Sequence, residues 1–130
     1  MDCRVINSTN FVPSKKYGKM EFDFFNSIDG SITVSDTEGK VLYMNEKAAS
    51  VFGSMVGKNM MGCHNPRSQE IIAKLIEQKE TNAYTIEKNG VKKIIYQTPW
   101  YKDGVVGGLV EFSFVIPMEM PHHVRTPKAE

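Results

Sequence analysis

Residues 35–53, SDTEGKVLYMNEKAASVFG, contain the clearest local structural signals in the chain. The tetrapeptide DTEG at 36–39 has turn chemistry and lies between two β-rich runs, residues 32–35 and 41–44, which predicts a β-hairpin. Asn45 then suits the N-cap of a short helix over EKAASVF, and Gly53 suits the position just after that helix ends. The stretch therefore predicts a strand, a turn, a second strand and a helix in immediate succession.

A longer helix is predicted after a loose segment at residues 54–62. Asn65 can cap this helix, and Pro66 fits its first position, where no backbone N–H is needed. The apolar side chains that follow recur on one face, with charged and amide side chains opposite, so the helix is expected over residues 66–80. The apolar face consists of Ile71, Ile72, Leu75 and Ile76.

The last third of the chain predicts three strands. Asn89-Gly90 is a strong hairpin signal between residues 83–88 and 91–101. A second turn at Lys102-Asp103-Gly104 precedes a long apolar run over residues 108–116. Pro117 should end that strand because proline cannot continue a hydrogen-bonded ladder.

A short amphipathic helix is predicted upstream of the first hairpin. Met20, Phe24 and Ile28 recur at i, i+4 and i+8, and Asp29-Gly30 should end this helix. The order of elements is that of an α+β domain whose antiparallel sheet of five strands is covered by helices. We expect a flexible arm over residues 1–18, a domain over 19–117 and a mobile, proline-rich tail over 118–130.

Bulk composition narrows the class of protein. The 130-residue chain suits one domain with a modest core. Its net charge is only +1, so a basic surface for nucleic acid or an anionic membrane is not expected. The sequence has neither the ~20-residue apolar run that a membrane span needs nor the apolar segment of a signal peptide. Two cysteines cannot form a disulfide framework, which makes the cytoplasm the expected location.

The same elements, with particular residues at their junctions, resemble the PAS family of sensory domains. The similarity lies in residues 35–53, in VGKNMMG at 56–62 and in YKDGVVGGLVEFSFVI at 101–116. PAS domains have an acidic-x-x-Gly turn before a strand that ends in Asn, as Asp36, Gly39 and Asn45 do here.

The resemblance implies a five-stranded antiparallel sheet in the order 2-1-5-4-3, with helices on one face and an N-terminal helical cap. The helices would enclose a pocket against the sheet. PAS domains sense small molecules, light or redox state, or act as dimerisation modules, and they are rarely enzymes.

The sequence CHNPRS at residues 63–68 is the strongest candidate for specific chemistry. Its first interpretation is structural, since Asn65 caps a helix, Pro66 begins it and Cys63 packs as a small hydrophobe. Its second interpretation is an anion site. Free N–H groups at a helix start attract anions, and His64 and Arg67 would add donors for a carboxylate or phosphate on a small ligand.

Bound metal, haem and flavin are less favoured interpretations of this stretch. Zinc needs three or four ligands and covalent haem usually needs Cys-x-x-Cys-His, whereas the stretch has one cysteine and one histidine. Haem-binding PAS sensors would place an axial histidine within the long helix, but His64 precedes it. Flavin-binding light sensors have a motif similar to Gly-x-Asn-Cys-Arg-Phe-Leu-Gln, whose order and aromatic residue are lost here. We therefore expect no cofactor.

The last two strands have two apolar faces, and both remain open as the core face. Periodicity alone favours the aromatic face. The resemblance implies instead that Glu111 and Ser113 point inward. The aromatic face would then be covered by the apolar stripe of the N-terminal helix and by a dimer partner. The candidates for ligand contact are the inward-facing residues of these strands together with the helix start, namely Cys63, His64, Asn65, Arg67, Ile95, Gln97, Glu111 and Ser113. The candidates for the dimer interface are Met20, Phe24, Ile28, Tyr96, Phe112 and Phe114.

The leading hypothesis is a sensory domain that forms a homodimer and binds an unidentified small molecule, with an anionic molecule as one option. Catalysis is not expected, because the three histidines, two of them in the tail, do not suggest a Ser-His-Asp arrangement. The signal would pass to a separate output protein or domain. The alternatives are a haem- or flavin-bearing redox, gas or light sensor and a ligand-free dimerisation scaffold.

Overall fold

Residues 23–63 and 65–128 are described by the computed structural model. The predictions that concern Met20, His64 and the arm over residues 1–18 lie outside this part of the chain. Residues 23–26 are helical, within the segment where the first amphipathic helix is predicted. Residues 117–128 contain no helix or strand, and they are exposed to solvent.

Five strands form a single antiparallel sheet. They are β1 (Ser31–Asp36), β2 (Val41–Met44), β3 (Asn82–Lys88), β4 (Val91–Lys102) and β5 (Val105–Ile116). Their order across the sheet is β2-β1-β5-β4-β3, and every neighbouring pair is antiparallel. The predicted fold class and strand order are confirmed.

The helices lie between β2 and β3 in the sequence, as predicted. Helix α1 (Glu46–Phe52) is capped by Asn45 and ends at Gly53, where φ is 74°. A short 3-10 helix (Met60–Cys63) lies in the segment predicted to be loose, and α2 (Pro66–Gln78) follows. The Asn65 side chain accepts a hydrogen bond from the backbone N–H of Ser68, which confirms its predicted role as the N-cap of α2.

Two tight turns connect the last three strands. Asn89 and Gly90 have φ values of 52° and 76°, and Asp103 and Gly104 have 52° and 79°. Two consecutive positive φ angles match the right-handed twist of a hairpin, so each turn needs only two residues. For this reason β5 begins at Val105, directly after the second turn, and not at residue 108 as predicted.

The core lies on the side of the sheet that the helices cover. Ile72 and Leu75 of α2 pack with Leu109 of β5, whose side chain is 2% exposed. On the same face of β4 and β5, Ile95, Gln97 and Ser113 are buried. The orientation implied by the PAS resemblance is therefore correct, and the one favoured by periodicity is wrong. Both faces are apolar, so the covering helices, and not the strand pattern, decide which one is buried.

The buried side chain of Asn45 makes hydrogen bonds with four backbone groups. Its Oδ1 accepts hydrogen bonds from the N–H groups of Ile32 and Ala48, both at 3.0 Å. Its Nδ2 donates to the carbonyl oxygens of Phe25 at 2.9 Å and Gly30 at 2.7 Å. Because Asn45 is 0% exposed, removing its amide would leave the buried backbone groups of Ile32, Gly30 and Ala48 without their partner.

A second contact holds the N-terminal segment against β2. The hydroxyl of Tyr43 donates a hydrogen bond to Oδ1 of Asn26, which lies in the helical residues 23–26. Burial of the ring and, to a smaller extent, the Glu46 carboxylate raise the pKa of Tyr43 to about 12. The phenol therefore remains a neutral donor at every physiological pH.

We predict that Asn45→Ala destabilises the fold by about 3 kcal/mol, because it removes a helix cap and leaves buried backbone groups unpaired. Urea unfolding followed by circular dichroism measures this loss. The matched control is Asn65→Ala at the exposed cap of α2, which should cost about 1 kcal/mol because water can satisfy the freed N–H. Equal losses in the two variants would show that Asn45 acts only as a cap.

Candidate functional site

A cavity of about 370 Å³ lies between the sheet and the segment that contains α1. Its volume suits a small organic molecule. The described residues that line it come from β1, β2, β5, α1, the loop after α1 and the 3-10 helix. They are Thr33, Val41, Met44, Phe52, Met55, Met60 and Glu111.

Most of this lining is apolar and adaptable. Three of its members are methionines, whose unbranched thioether side chains can adjust to ligands of different shape. Met44 and Met55 are held close together, because the backbone N–H of Met55 approaches the Met44 sulfur at 3.4 Å. The methionine side chains can therefore pack against apolar groups of different shape.

A row of polar side chains crosses the sheet and ends in this cavity. In the strand register, Asn82 pairs with Gln97, Gln97 pairs with Glu111, and Glu111 pairs with Thr33. The Asn82 amide donates to Oε1 of Gln97 at 3.1 Å, and Nε2 of Gln97 donates to Oε1 of Glu111 at 2.7 Å. The row thus holds the Glu111 carboxylate at the wall of an apolar space.

The negative charge of Glu111 affects a side chain on β3, two strands away in the sheet. Burial and, to a smaller extent, the Glu111 carboxylate raise the pKa of Tyr84 on β3. The described lining of the cavity contains no lysine, arginine or histidine to offset this charge.

The structure brings together only part of the predicted ligand site. Glu111 lines the cavity, and Gln97 donates a hydrogen bond to Glu111. Ile95 and Ser113 pair with each other on the same buried face of the sheet. Asn65 and Arg67 are exposed and are not among the described lining residues. The geometry of this cavity therefore does not support an anion site at the start of α2. Ligand contact by Asn65 and Arg67 stays a prediction.

Sequence reasoning missed the residues that form most of the cavity wall. The sequence predicts strands or a helix, and no ligand contact, at Thr33, Val41, Met44 and Phe52. It predicts a loose segment at Met55 and Met60. The one available signal was the density of methionine between residues 55 and 61, since flexible thioethers often line binding surfaces.

The aromatic face on the other side of the sheet is partly open to solvent. The rings of Tyr96 and Phe112 lie 6.4 Å apart, and those of Phe112 and Phe114 lie 5.7 Å apart. Phe114 also covers Gly30, where any side chain would collide with its ring. Phe24 is 65% exposed in the single chain.

Two further properties bear on the class of protein. Within residues 23–63 and 65–128, no three histidine, cysteine, aspartate or glutamate side chains form a group that could hold a metal ion. No helix in the same part of the chain combines the length and apolar character required to cross a membrane.

Comparison with known proteins finds similarity in structure. No protein-family model matches the sequence, and no curated protein matches it. The PAS domain of histidine kinase ThkA superposes with a TM-score of 0.56 at 15% identity, over 67% of this chain and 99% of that domain.

Two structures of VqmA are also similar. VqmA bound to DPO gives a TM-score of 0.61 at 16% identity, over 75% of this chain and 57% of VqmA. A Vibrio cholerae VqmA dimer gives the same score and identity over 85% of this chain and 58% of that one. The chain thus spans somewhat more than half the length of VqmA. Together with the strand order and the helices between β2 and β3, these matches show that the chain has the fold of PAS domains, as its sequence resemblance predicts.

Proposed function

We propose that the chain is a non-catalytic sensory domain that binds a small organic molecule in the cavity between the sheet and α1. The observation that carries this proposal is the combination of an apolar wall with a carboxylate oriented by Gln97. Ligand pockets are mostly apolar, with a few placed polar groups that orient the ligand.

The similar structures support a sensory role. One of them is the PAS domain of a histidine kinase, and another is VqmA with DPO bound. The second structure indicates that a protein of this fold can take up a small molecule. We propose by analogy that ligand binding in this chain changes its contacts with a separate output domain or protein.

Filling the cavity tests this proposal. In a screen of small cyclic fragments by ligand-observed NMR, the wild-type protein should show binders with millimolar or tighter affinity. Met55→Trp should weaken each of them by about tenfold or more, because the indole would occupy the cavity. The control is Met118→Trp, which places the same ring on the exposed C-terminal segment and should leave affinity unchanged. Fragments that bind both variants equally well would show that the cavity is not the site.

We further propose that the chain forms a homodimer through its aromatic face and the segment that precedes β1. Phe24, Phe25 and Ile28 are 65%, 51% and 40% exposed, and Tyr96 on the sheet is 41% exposed. Apolar surface of this extent usually marks an interface. A Vibrio cholerae VqmA structure of similar fold is a dimer, which supports self-association here.

Charge placed in this surface should separate the subunits. We predict that Phe24→Asp converts a dimer into a monomer in multi-angle light scattering at micromolar concentration, because a buried unpaired carboxylate opposes association. Phe24 is exposed within one chain, so the variant should fold normally. Val124→Asp, at an 85% exposed position in the C-terminal segment, is the control and should remain dimeric. A wild-type protein that is monomeric under these conditions would refute the proposal.

A further inference from the structure

We infer that the cavity selects ligands that carry a cationic nitrogen, such as a protonated amine or amidine, on a small apolar body. This inference rests on the proposed function of the cavity and defines the chemistry of its ligand. It points away from the anionic ligand that the start of α2 suggests.

The orientation of the polar row leaves an acceptor at the cavity wall. An ionised carboxylate only accepts hydrogen bonds, so Gln97 must turn its NH₂ group toward Glu111. The carbonyl of Gln97 then faces Asn82, whose amide donates to it. Each hydrogen bond in the row therefore runs toward Glu111, and the group presented to the cavity is the acceptor at the end of the row.

The negative charge of Glu111 determines which ligand charge the cavity favours. A ligand that fills the cavity removes water from Glu111, and an unpaired carboxylate in an apolar site is strongly unfavourable. No cation among the described lining residues compensates for that loss. A ligand ammonium would form a charge-assisted hydrogen bond with the carboxylate, whereas a neutral donor leaves the charge and an anion adds repulsion.

The remainder of the lining fits the other half of such a ligand. Thr33 pairs with Glu111 across β1 and β5, so its hydroxyl provides a second polar group on the same wall. The rest of the lining is apolar and consists of Val41, Phe52 and three methionines, which accommodate an apolar body. One space therefore offers a few polar contacts and a larger apolar surface.

Three probes of matched shape test the inference. They are 2-phenylethylamine, 2-phenylethanol and phenylacetate, which present a cation, a neutral donor and an anion next to the same ring. Titrations at neutral pH followed by protein NMR should give an affinity for the amine about tenfold higher than that for the alcohol, with phenylacetate weakest. Equal affinity for the amine and the alcohol, or tighter binding of phenylacetate, would overturn the inference while the proposed function stands.

Removing the charge should abolish the preference. Glu111→Gln keeps the size of the side chain, and it should weaken the amine about tenfold while changing the alcohol less than about twofold. Glu87→Gln makes the same substitution at an exposed position on β3 and should change neither. An amine affinity unchanged by Glu111→Gln would contradict the inference. Failure of all three probes to bind the wild-type protein at millimolar concentration would count against both the proposed function and this preference.

Discussion

The Asn45 side chain connects the segment before β1, the first residues of β1 and the start of α1 through four hydrogen bonds. Each bond involves a backbone group, so the contact does not depend on the identity of the neighbouring side chains. Met44, directly before Asn45, and Thr33, directly after Ile32, both line the cavity. Thr33 and Met44 pair across β1 and β2, so the Asn45 amide holds this part of the sheet against the start of α1, the helix that carries Phe52.

The sheet makes an equally specific contribution to the site. Its strand register places Asn82, Gln97, Glu111 and Thr33 in one row, although β2 and the helices separate Thr33 from the other three in the sequence. The hydrogen bonds within the row end at the Glu111 carboxylate, because an amide can both donate and accept whereas a carboxylate only accepts. A cavity with an apolar wall and a single charged acceptor follows from these two constraints together.

Much of the fold could be predicted because its signals are local. The turn at residues 36–39, the Asn45 cap and the Asn89-Gly90 turn each act within a few residues, and all three lie where the sequence places them. The buried face of β4 and β5 could not be predicted from periodicity, since Leu109 and Phe112 are apolar on opposite faces. Only the packing of α2 against Leu109 decides between them.

The candidate site was harder to predict because its residues are distant in the sequence. Thr33, Phe52, Met60 and Glu111 come together only after β1 pairs with β5 and the helices fold over the sheet. The stretch CHNPRS is a candidate for specific chemistry in the sequence because it groups reactive side chains locally. In the structure its asparagine serves as a helix cap.

The central claim is that a small molecule binds between the sheet and α1, and the methionines of the chain can report on it directly. In protein labelled with ¹³C at the methionine methyl groups, Met44, Met55 and Met60 lie at the cavity, while Met118 and Met120 lie in the exposed C-terminal segment. Titration with 2-phenylethylamine should shift the methyl signals of the first three and leave those of Met118 and Met120 in place. Shifts confined to Met118 and Met120, or no shift in the three cavity methionines, would contradict the account.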